Sequence, residues 1–406
     1  MKTILAEEFK ANPRFKVAEE ILQACVHCGF CTATCPTYLQ LGDERDSPRG
    51  RIYMMKAMFE GESVSSATRE HLDKCLTCRS CETTCPSGVE YGRLVDLGRE
   101  VVERKVPRSW QQRLLRWSLR QVLPYRWRFG PLLRMGQLVR PLLPAALKGH
   151  VPKPVPRLPV TVSSHARVML SMPGCAQASA APNTDLAAAK VLDKLGIKMQ
   201  LVPQSGCCGA VDLHLNAHAQ GLAKARLNID ALWPHIEAGA EAIVVTASGC
   251  GATLQEYGYL LRDDADYAPK AAKVAALCRD VADILAAEDL SQLDLPKLQQ
   301  RVAVHCPCSQ QHGMKLPGKL KSVLASQGFD LTMTKNDHLC CGSAGTYSLL
   351  QPELSAQLRT NKLADLSMDN PDVIVTANIG CQLHLGGHTQ VPVKHWLELL
   401  VEHEGT

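Results

Sequence analysis

Two cysteine runs constrain this chain more than anything else in it. The first reads Cys25-Val-His-Cys28-Gly-Phe-Cys31-Thr-Ala-Thr-Cys35-Pro36. With 39 residues between Cys35 and Cys75, the second reads Cys75-Leu-Thr-Cys78-Arg-Ser-Cys81-Glu-Thr-Thr-Cys85-Pro86. Both are C-x2-C-x2-C-x3-C-P, the bacterial run for a pair of 4Fe–4S clusters, in which the fourth cysteine of each run ligates the other cluster. The pattern therefore assigns Cys25, Cys28, Cys31 and Cys85 to one cluster, and Cys75, Cys78, Cys81 and Cys35 to the second. Two-residue gaps let one turn wrap three thiolates around a cluster face. The proline that follows fixes φ and turns the chain away. Zinc also uses C-x2-C pairs but closes its shell with four ligands. Eight cysteines in a duplicated three-plus-one pattern favour iron and sulfide.

The sequence around these runs reads as helical. Residues 3–24 carry apolar positions at helical spacing, with Pro13 breaking the run. Ser47-Pro48-Arg49-Gly50-Arg51 leads into a second helix through Met58, and Ser63, Ser65 and Ser66 compete to cap a third. Arg49 and Arg51 have two readings, as surface charge or as cations offsetting a thiolate-bound cluster. The fold class expected is α+α/β: a helical ferredoxin-type domain over 1–106, then two duplicated parallel α/β domains.

Between them, residues 107–165 form a basic bridge and a linker. From 101 to 160 there are 13 Lys and Arg against the single acid Glu103, and three of the five tryptophans, Trp110, Trp117 and Trp127. Arg113, Arg116 and Arg120 fall on one helical stripe. A basic helix with tryptophans suits a membrane interface or a partner subunit, or packs on its own protein. Four prolines in 149–159 make a semi-rigid linker. No run is long and apolar enough to span a bilayer, and the N-terminus lacks a secretory signal. A cytoplasmic chain, peripheral on the inner face of the membrane, is expected.

The second half is written twice, over 166–298 and 299–406. Short apolar runs at Val168–Leu170, Ile197–Val202 and Ala242–Val245 alternate with helical stretches, as do Val302–Val304, Phe329–Met333 and Val373–Val375. This is a parallel α/β pattern. Cys175 and Cys207 are separated by 31 residues, as are Cys308 and Cys340; Cys208 and Cys250 by 41, and Cys341 and Cys381 by 39. Each repeat thus places four cysteines after strand C-termini, where α/β folds put their sites: Cys175, Cys207, Cys208 and Cys250 in one, and Cys308, Cys340, Cys341 and Cys381 in the other. Four thiolates could hold a further iron–sulfur cluster or a zinc ion. His305, His312, His338 and His384 lie nearby in sequence. Cys278 reads as a core residue in an Ala-rich helix over 271–287.

Together these features resemble the iron–sulfur subunit of bacterial glycolate oxidase, over essentially the whole chain. The resemblance is carried by both ferredoxin runs, Ser47-Pro-Arg-Gly-Arg-Ile52, Ser205-Gly-Cys-Cys-Gly-Ala-Val211, Thr246-Ala-Ser-Gly-Cys250, Leu339-Cys-Cys-Gly-Ser-Ala-Gly-Thr346 and Thr376-Ala-Asn-Ile-Gly-Cys381. It extends more loosely to the small subunit of anaerobic glycerol-3-phosphate dehydrogenase and to heterodisulfide reductase subunits. In that wider group the third segment is often C-x2-C, whereas Cys250 and Cys381 here stand alone. The resemblance implies an oxidoreductase subunit without catalytic residues of its own. It would take electrons from flavin-containing partner subunits that oxidise glycolate and pass them to a quinone-type membrane acceptor. A disulfide- or quinone-reducing subunit is the alternative. The absence of G-x-G-x-x-G after a strand agrees with a flavin site in another chain. No nucleic-acid partner is expected.

Overall fold

The computed structural model describes residues 1–144, 148–159, 163–293 and 300–401. The junction at 298/299 read from the sequence lies outside these residues, as do parts of the linker and the last five positions. The chain divides into two compact units. One comprises Met1–Trp117 with His338–Lys362, and the other Ser118–Asp337 with Leu363–Thr406.

The first unit is helical. Helices α1 (Glu7–Lys10) and α2 (Pro13–Ala24) are separate because Asn12 caps α2, its side chain accepting from the Arg14 N–H at 3.0 Å, with Pro13 at the first helical position. Helix α3 (Pro48–Phe59) starts the same way, with Ser47 accepting from the Gly50 N–H at 2.9 Å. Of the three candidate serines, Ser65 caps α4 (Ser66–Asp73). Helix α5 (Tyr91–Lys105) buries Leu94, Val95, Leu97, Val101 and Val102. Phe9, Phe15 and Phe59 pack their rings with centroids 4.8–5.7 Å apart and seal this core. The cysteine runs lie between these helices, with Cys31 in the 3-10 turn Phe30–Thr32 and Cys81 in the short helix Ser80–Thr84.

The basic stretch forms α6 (Trp110–Val122) and α7 (Arg126–Val139), neither of which buries a residue. The expected arginine stripe is split in role. Arg116 reaches Asp73 at 3.5 Å beside Arg108, which grips the same carboxylate at 2.6 and 2.9 Å. Trp110, Leu114 and Trp117, at i, i+4 and i+7, are exposed.

The second unit contains two four-stranded parallel sheets. Strands β1 (Arg167–Ser171), β2 (Ile197–Leu201), β3 (Ile243–Val245) and β4 (Cys278–Asp280) are ordered β2-β1-β3-β4. Strands β5 (Arg301–His305), β6 (Asp330–Leu331), β7 (Val373–Thr376) and β8 (Val393–His395) repeat this as β6-β5-β7-β8. Met169 lies opposite Met199, and Val304 opposite Val375, in the parallel ladders. Helices α8 (Asn183–Lys194) and α9 (His218–Glu237) connect the strands of the first sheet. Both sheets feed one core, in which Met169, Val191, Val244, Val302, Val375 and Trp396 are all buried. Two edge strands differ from the sequence reading. The Ala-rich helix stops at Leu277, and Cys278 opens β4 instead; its thiol is buried, donating toward the Gly251 carbonyl at 3.7 Å.

The repeats also join through polar contacts. The Ser248 N–H donates to the Ala377 carbonyl at 3.0 Å, and the Ser248 and Ser309 hydroxyls meet at 2.7 Å. His395 lies fully buried, with Nε2 at 2.9 Å from the Thr246 carbonyl and Nδ1 accepting from the Leu397 N–H at 3.3 Å. Since Nδ1 accepts, the ring is neutral and Nε2 carries the proton. Burial pushes its pKa down to about 3. An unfolded histidine titrates near about 6.5, so below that pH the unfolded chain binds the extra proton. The contribution is therefore complete above the unfolded value and is lost as pH falls toward the folded one. Denaturant unfolding should show stability falling by about 1.4 kcal/mol per pH unit from this residue below about pH 6. The His395→Gln chain should lack that component of the slope; equal slopes would exclude it.

Candidate metal centres

The two ferredoxin-type loops share a backbone solution. His27 and Gly29 have φ of 55° and 87°, and Thr77 and Arg79, at the matching positions, have φ of 54° and 60°. Left-handed residues on either side of the second cysteine coil each loop around one point. For histidine, threonine and arginine this is an uncommon conformation, of the kind found at functional sites.

These loops enclose two cavities. One, of about 440 Å³, is lined by Cys25, Cys28, Cys31, Cys81 and Cys85. The other, of about 320 Å³, is lined by Cys35, Cys75, Cys78 and Cys81. Cys81, Pro48 and Tyr91 border both, so the cavities are adjacent. Cys28 is exposed, whereas Cys25, Cys35, Cys75 and Cys81 are buried. Burial, then the neighbouring Cys78 and Cys75 thiols, push the Cys81 pKa well up. Burial likewise raises Cys31, to about 11, with Cys25 adding to it. Cys31 and Cys81, which resist ionising alone beside other thiols, suit a shared cation.

The polar surroundings of the two cavities differ. Around the second, the Thr77 N–H donates to Cys75 Sγ at 3.4 Å and the Tyr91 hydroxyl approaches it at 3.8 Å. Thr37 Oγ1 lies 3.2 Å from Cys35 Sγ. The Arg51 side chain is only 1% exposed. Its Nη1 is 4.0 Å from Cys35 Sγ and donates to Thr37 Oγ1 at 3.1 Å, and its Nε donates to the His71 carbonyl at 2.7 Å. Arg99 donates to the Cys75 carbonyl at 2.6 Å and to Thr77 Oγ1 at 2.9 Å. At the first cavity Arg49 is partly exposed and pairs with Glu44 at 2.7 Å. The N-terminal ammonium donates to the Cys25 carbonyl at 2.9 Å. Of the two arginines with two readings, Arg51 is thus buried among the thiols and Arg49 lies at the rim.

In the first repeat all four expected cysteines converge. Cys175 hydrogen-bonds Cys207, Cys207 hydrogen-bonds Cys208, and Cys208 hydrogen-bonds Cys250. The bond to Cys207, followed by burial, pushes the Cys175 pKa well up. For Cys207, the bond from Cys175 lowers the pKa, but the bond to Cys208 and burial outweigh it and leave the value at about 12. Tyr257 and Asn228 fix the loop: the tyrosine hydroxyl donates to the Cys208 carbonyl at 2.8 Å and the amide to the Cys207 carbonyl at 2.9 Å. Neither residue stands out in the sequence, since both lie far from the cysteines and in different helices.

The cysteines of the second repeat belong to both compact units. Cys308 precedes a short π-helix, Ser309–Gly313, and Cys381 sits in the first turn of the helix Ile379–Gly386, both in the second unit. There a ring nitrogen of His305 lies within 4.8 Å of Cys381 Sγ. Nδ1 of His305 also meets the Thr376 hydroxyl at 3.0 Å. Cys340 and Cys341 are buried in the first unit, where the Tyr347 hydroxyl donates to the Lys74 carbonyl at 2.9 Å.

Comparison with known proteins decides the family. The 4Fe–4S dicluster domain matches residues 21–89, and the cysteine-rich domain matches 169–255 and 302–386. The glycolate oxidase iron–sulfur subunit of Escherichia coli (strain K12) is 52% identical over 98% of both chains. This chain belongs to that family. A probable glycolate oxidase iron–sulfur subunit of Bacillus subtilis (strain 168) is 30% identical over 99% of this chain and 97% of its own. Lactate utilization protein A of Bacillus velezensis is 27% identical, over 54% of this chain and 92% of its own. The chain is an iron–sulfur oxidoreductase component of the α+α/β class with a ferredoxin-type domain.

The Cys-Cys-Gly motif has a backbone reason. Gly209 and Gly342 have φ of 93° and 89°. A Cβ on Gly209 would lie 2.9 Å from the Gly221 carbonyl oxygen, and one on Gly342 2.7 Å from that of Ser355. Both the left-handed turn and the neighbouring backbone exclude a side chain. Gly209→Ala should cost about 2 kcal/mol or more, combining conformation and contact. Thermal unfolding and metal analysis would check this: a stable variant with unchanged metal content would refute it.

Proposed function

We propose that this chain is the electron-transfer subunit of a flavin-dependent 2-hydroxy-acid (glycolate) dehydrogenase. Its partners would be flavin-containing dehydrogenase subunits, and its acceptor a quinone of the membrane. The observation that carries this reading is the adjacency of the two cysteine-lined cavities, which share Cys81, Pro48 and Tyr91. The relative from Escherichia coli, named for glycolate oxidase, supports the substrate class.

Cys25, Cys28, Cys31 and Cys85 would hold one 4Fe–4S cluster, and Cys75, Cys78, Cys81 and Cys35 the second. The cavities support these sets, and the crowded thiols suit the metal. Such clusters transfer single electrons, which matches a flavin that divides the pair released by 2-hydroxy-acid oxidation. The chain's own groups do the rest. Exposed Cys28 brings the first site to the surface, where a donor can approach. Tyr91 and Thr77 place polar hydrogens near the Cys75 sulfur of the second site, which stabilises added negative charge there. The first repeat, through Cys175, Cys207, Cys208 and Cys250, would hold a further iron–sulfur cluster or zinc. Cys308, Cys340, Cys341 and Cys381 are the corresponding set of the second. The domain plan 1–106, 107–165, 166–298 and 299–406 follows the same reading.

No helix among the described residues is long and apolar enough to cross a membrane. Attachment would run through α6, whose Trp110 and Trp117 are 66% and 52% exposed. Such rings settle at a lipid interface, and the surrounding arginines favour anionic headgroups. In this reading the chain sits peripherally on the inner, cytoplasmic face.

Anaerobic iron and sulfide analysis with EPR of the native complex should show two 4Fe–4S signals and co-purifying flavin. Fewer than two clusters, or glycolate oxidation by this chain alone, would overturn the reading. For attachment, Trp110→Ser with Trp117→Ser should reduce co-sedimentation with anionic vesicles at least about tenfold. Unchanged vesicle binding would exclude α6, and lost flavin co-purification would make it a subunit contact instead.

A further inference from the structure

The two cluster sites are chemically unequal, and the inequality lies in charge that the ferredoxin motif does not encode. Resting on the reading that the eight cysteines hold two clusters, we propose that buried Arg51 makes the cluster of Cys35, Cys75, Cys78 and Cys81 the higher-potential member of the pair, and so the downstream one. Added electrons make a cluster more negative, and a nearby cation stabilises the reduced state. A buried cation does so with little screening by salt or water.

Buried positive charge favours the second site, where Arg51 and Arg99 are both buried. Arg51 and Lys74 both reach the Asp46 carboxylate, at 3.4 Å each. Lys74 is also matched by the exposed Glu70 at 3.2 Å, so these two cations meet two carboxylates, of which Asp46 alone is buried. His71 shares it too, with Nδ1 at 2.8 Å from Asp46 Oδ1. Arg99 adds another charge, its donors going to the Leu72 and Cys75 carbonyls and the Thr77 hydroxyl. At the first site Arg49 is matched by Glu44 and both are partly exposed. The N-terminal ammonium there donates to the Cys25 carbonyl. Hydrogen bonds act in the same sense, since the Thr77 N–H and Tyr91 hydroxyl both address Cys75 Sγ.

The downstream assignment agrees with what lies beside each site. The first site has the exposed Cys28. The second has Lys74, whose carbonyl receives the Tyr347 hydroxyl from the segment carrying Cys340 and Cys341. An electron moving from the first cluster to the second thus travels from the surface toward the Cys-Cys-Gly segment.

EPR-monitored redox titration of the whole chain tests this. Two signals should titrate separately. Arg51→Gln should lower only the higher midpoint, by at least about a tenfold change in the reduction equilibrium, 59 mV for one electron. Arg51→Lys, which retains the charge, should hold that midpoint near its original value. Lys74→Gln, at a partly exposed position, should lower the same midpoint by a smaller factor and serves if Arg51→Gln fails to assemble its clusters. A shift confined to the lower midpoint, no shift in either, or equal shifts for the lysine and glutamine variants would overturn the proposal. Fewer than two signals in the unaltered chain would overturn the two-cluster reading itself, a result distinct from two signals with the wrong response.

Discussion

Thiols gathered in a protein interior resist ionisation, because each lost proton leaves a charge that is poorly solvated and repelled by its neighbours. This chain gathers them in the two ferredoxin-type cavities and in the first repeat. Everything around those points answers that electrostatic demand. Cations and polar hydrogens stand near the sulfurs, and left-handed residues hold the loops in shape. The helices around the first two sites supply a rigid frame, sealed by the Phe9, Phe15 and Phe59 cluster. A flexible loop would let the thiols separate and relieve their repulsion; a capped, packed one holds them at the spacing that a metal cluster requires.

The duplication in the second half was solved twice with one topology and one device. Both sheets place their sites after the same strands, and both Cys-Cys-Gly turns press a glycine against a backbone carbonyl. The surroundings then diverge. In the first repeat four thiols form a continuous hydrogen-bonded chain. In the second, a histidine nitrogen stands close to Cys381. Imidazole and thiolate differ in charge as ligands, so equal spacing in the sequence does not imply equal contents.

Spacing carried the legible part of the fold and the sites. The eight N-terminal cysteines were legible as two matched runs because each run is local in sequence. The central strands β1, β3, β5 and β7 showed as short apolar runs, since parallel strands covered on both faces need apolar side chains at consecutive positions. What stayed hidden depends on distant partners. Strand β4 is three residues long and exists because Cys278 pairs with Ile243. Nothing local separates it from the alanine-rich helix before it, although Asp280 capping the Ala282 N–H hinted at a new start. Strand β8, Val393–His395, is equally short and was missed for the same reason. Tyr257 and Asn228 were missed because tertiary packing alone brings them to the cysteine turn.

Arg49 and Arg51 make the same point about the site itself. The two are identical in type and two residues apart, so composition cannot rank them. Their helix can. Successive helical residues turn by 100°, which sends residues i and i+2 to widely different faces. With Ile52, Met55 and Phe59 on the buried face, Arg51 belongs beside them and Arg49 does not. A guanidinium on the buried face must find acceptors there, and Asp46, Thr37 and the His71 carbonyl are those acceptors. A buried ion pair is weak evidence for stability, because desolvation offsets much of its attraction. Its persistence beside Cys35 is better explained by the charge it sets there than by the fold it supports.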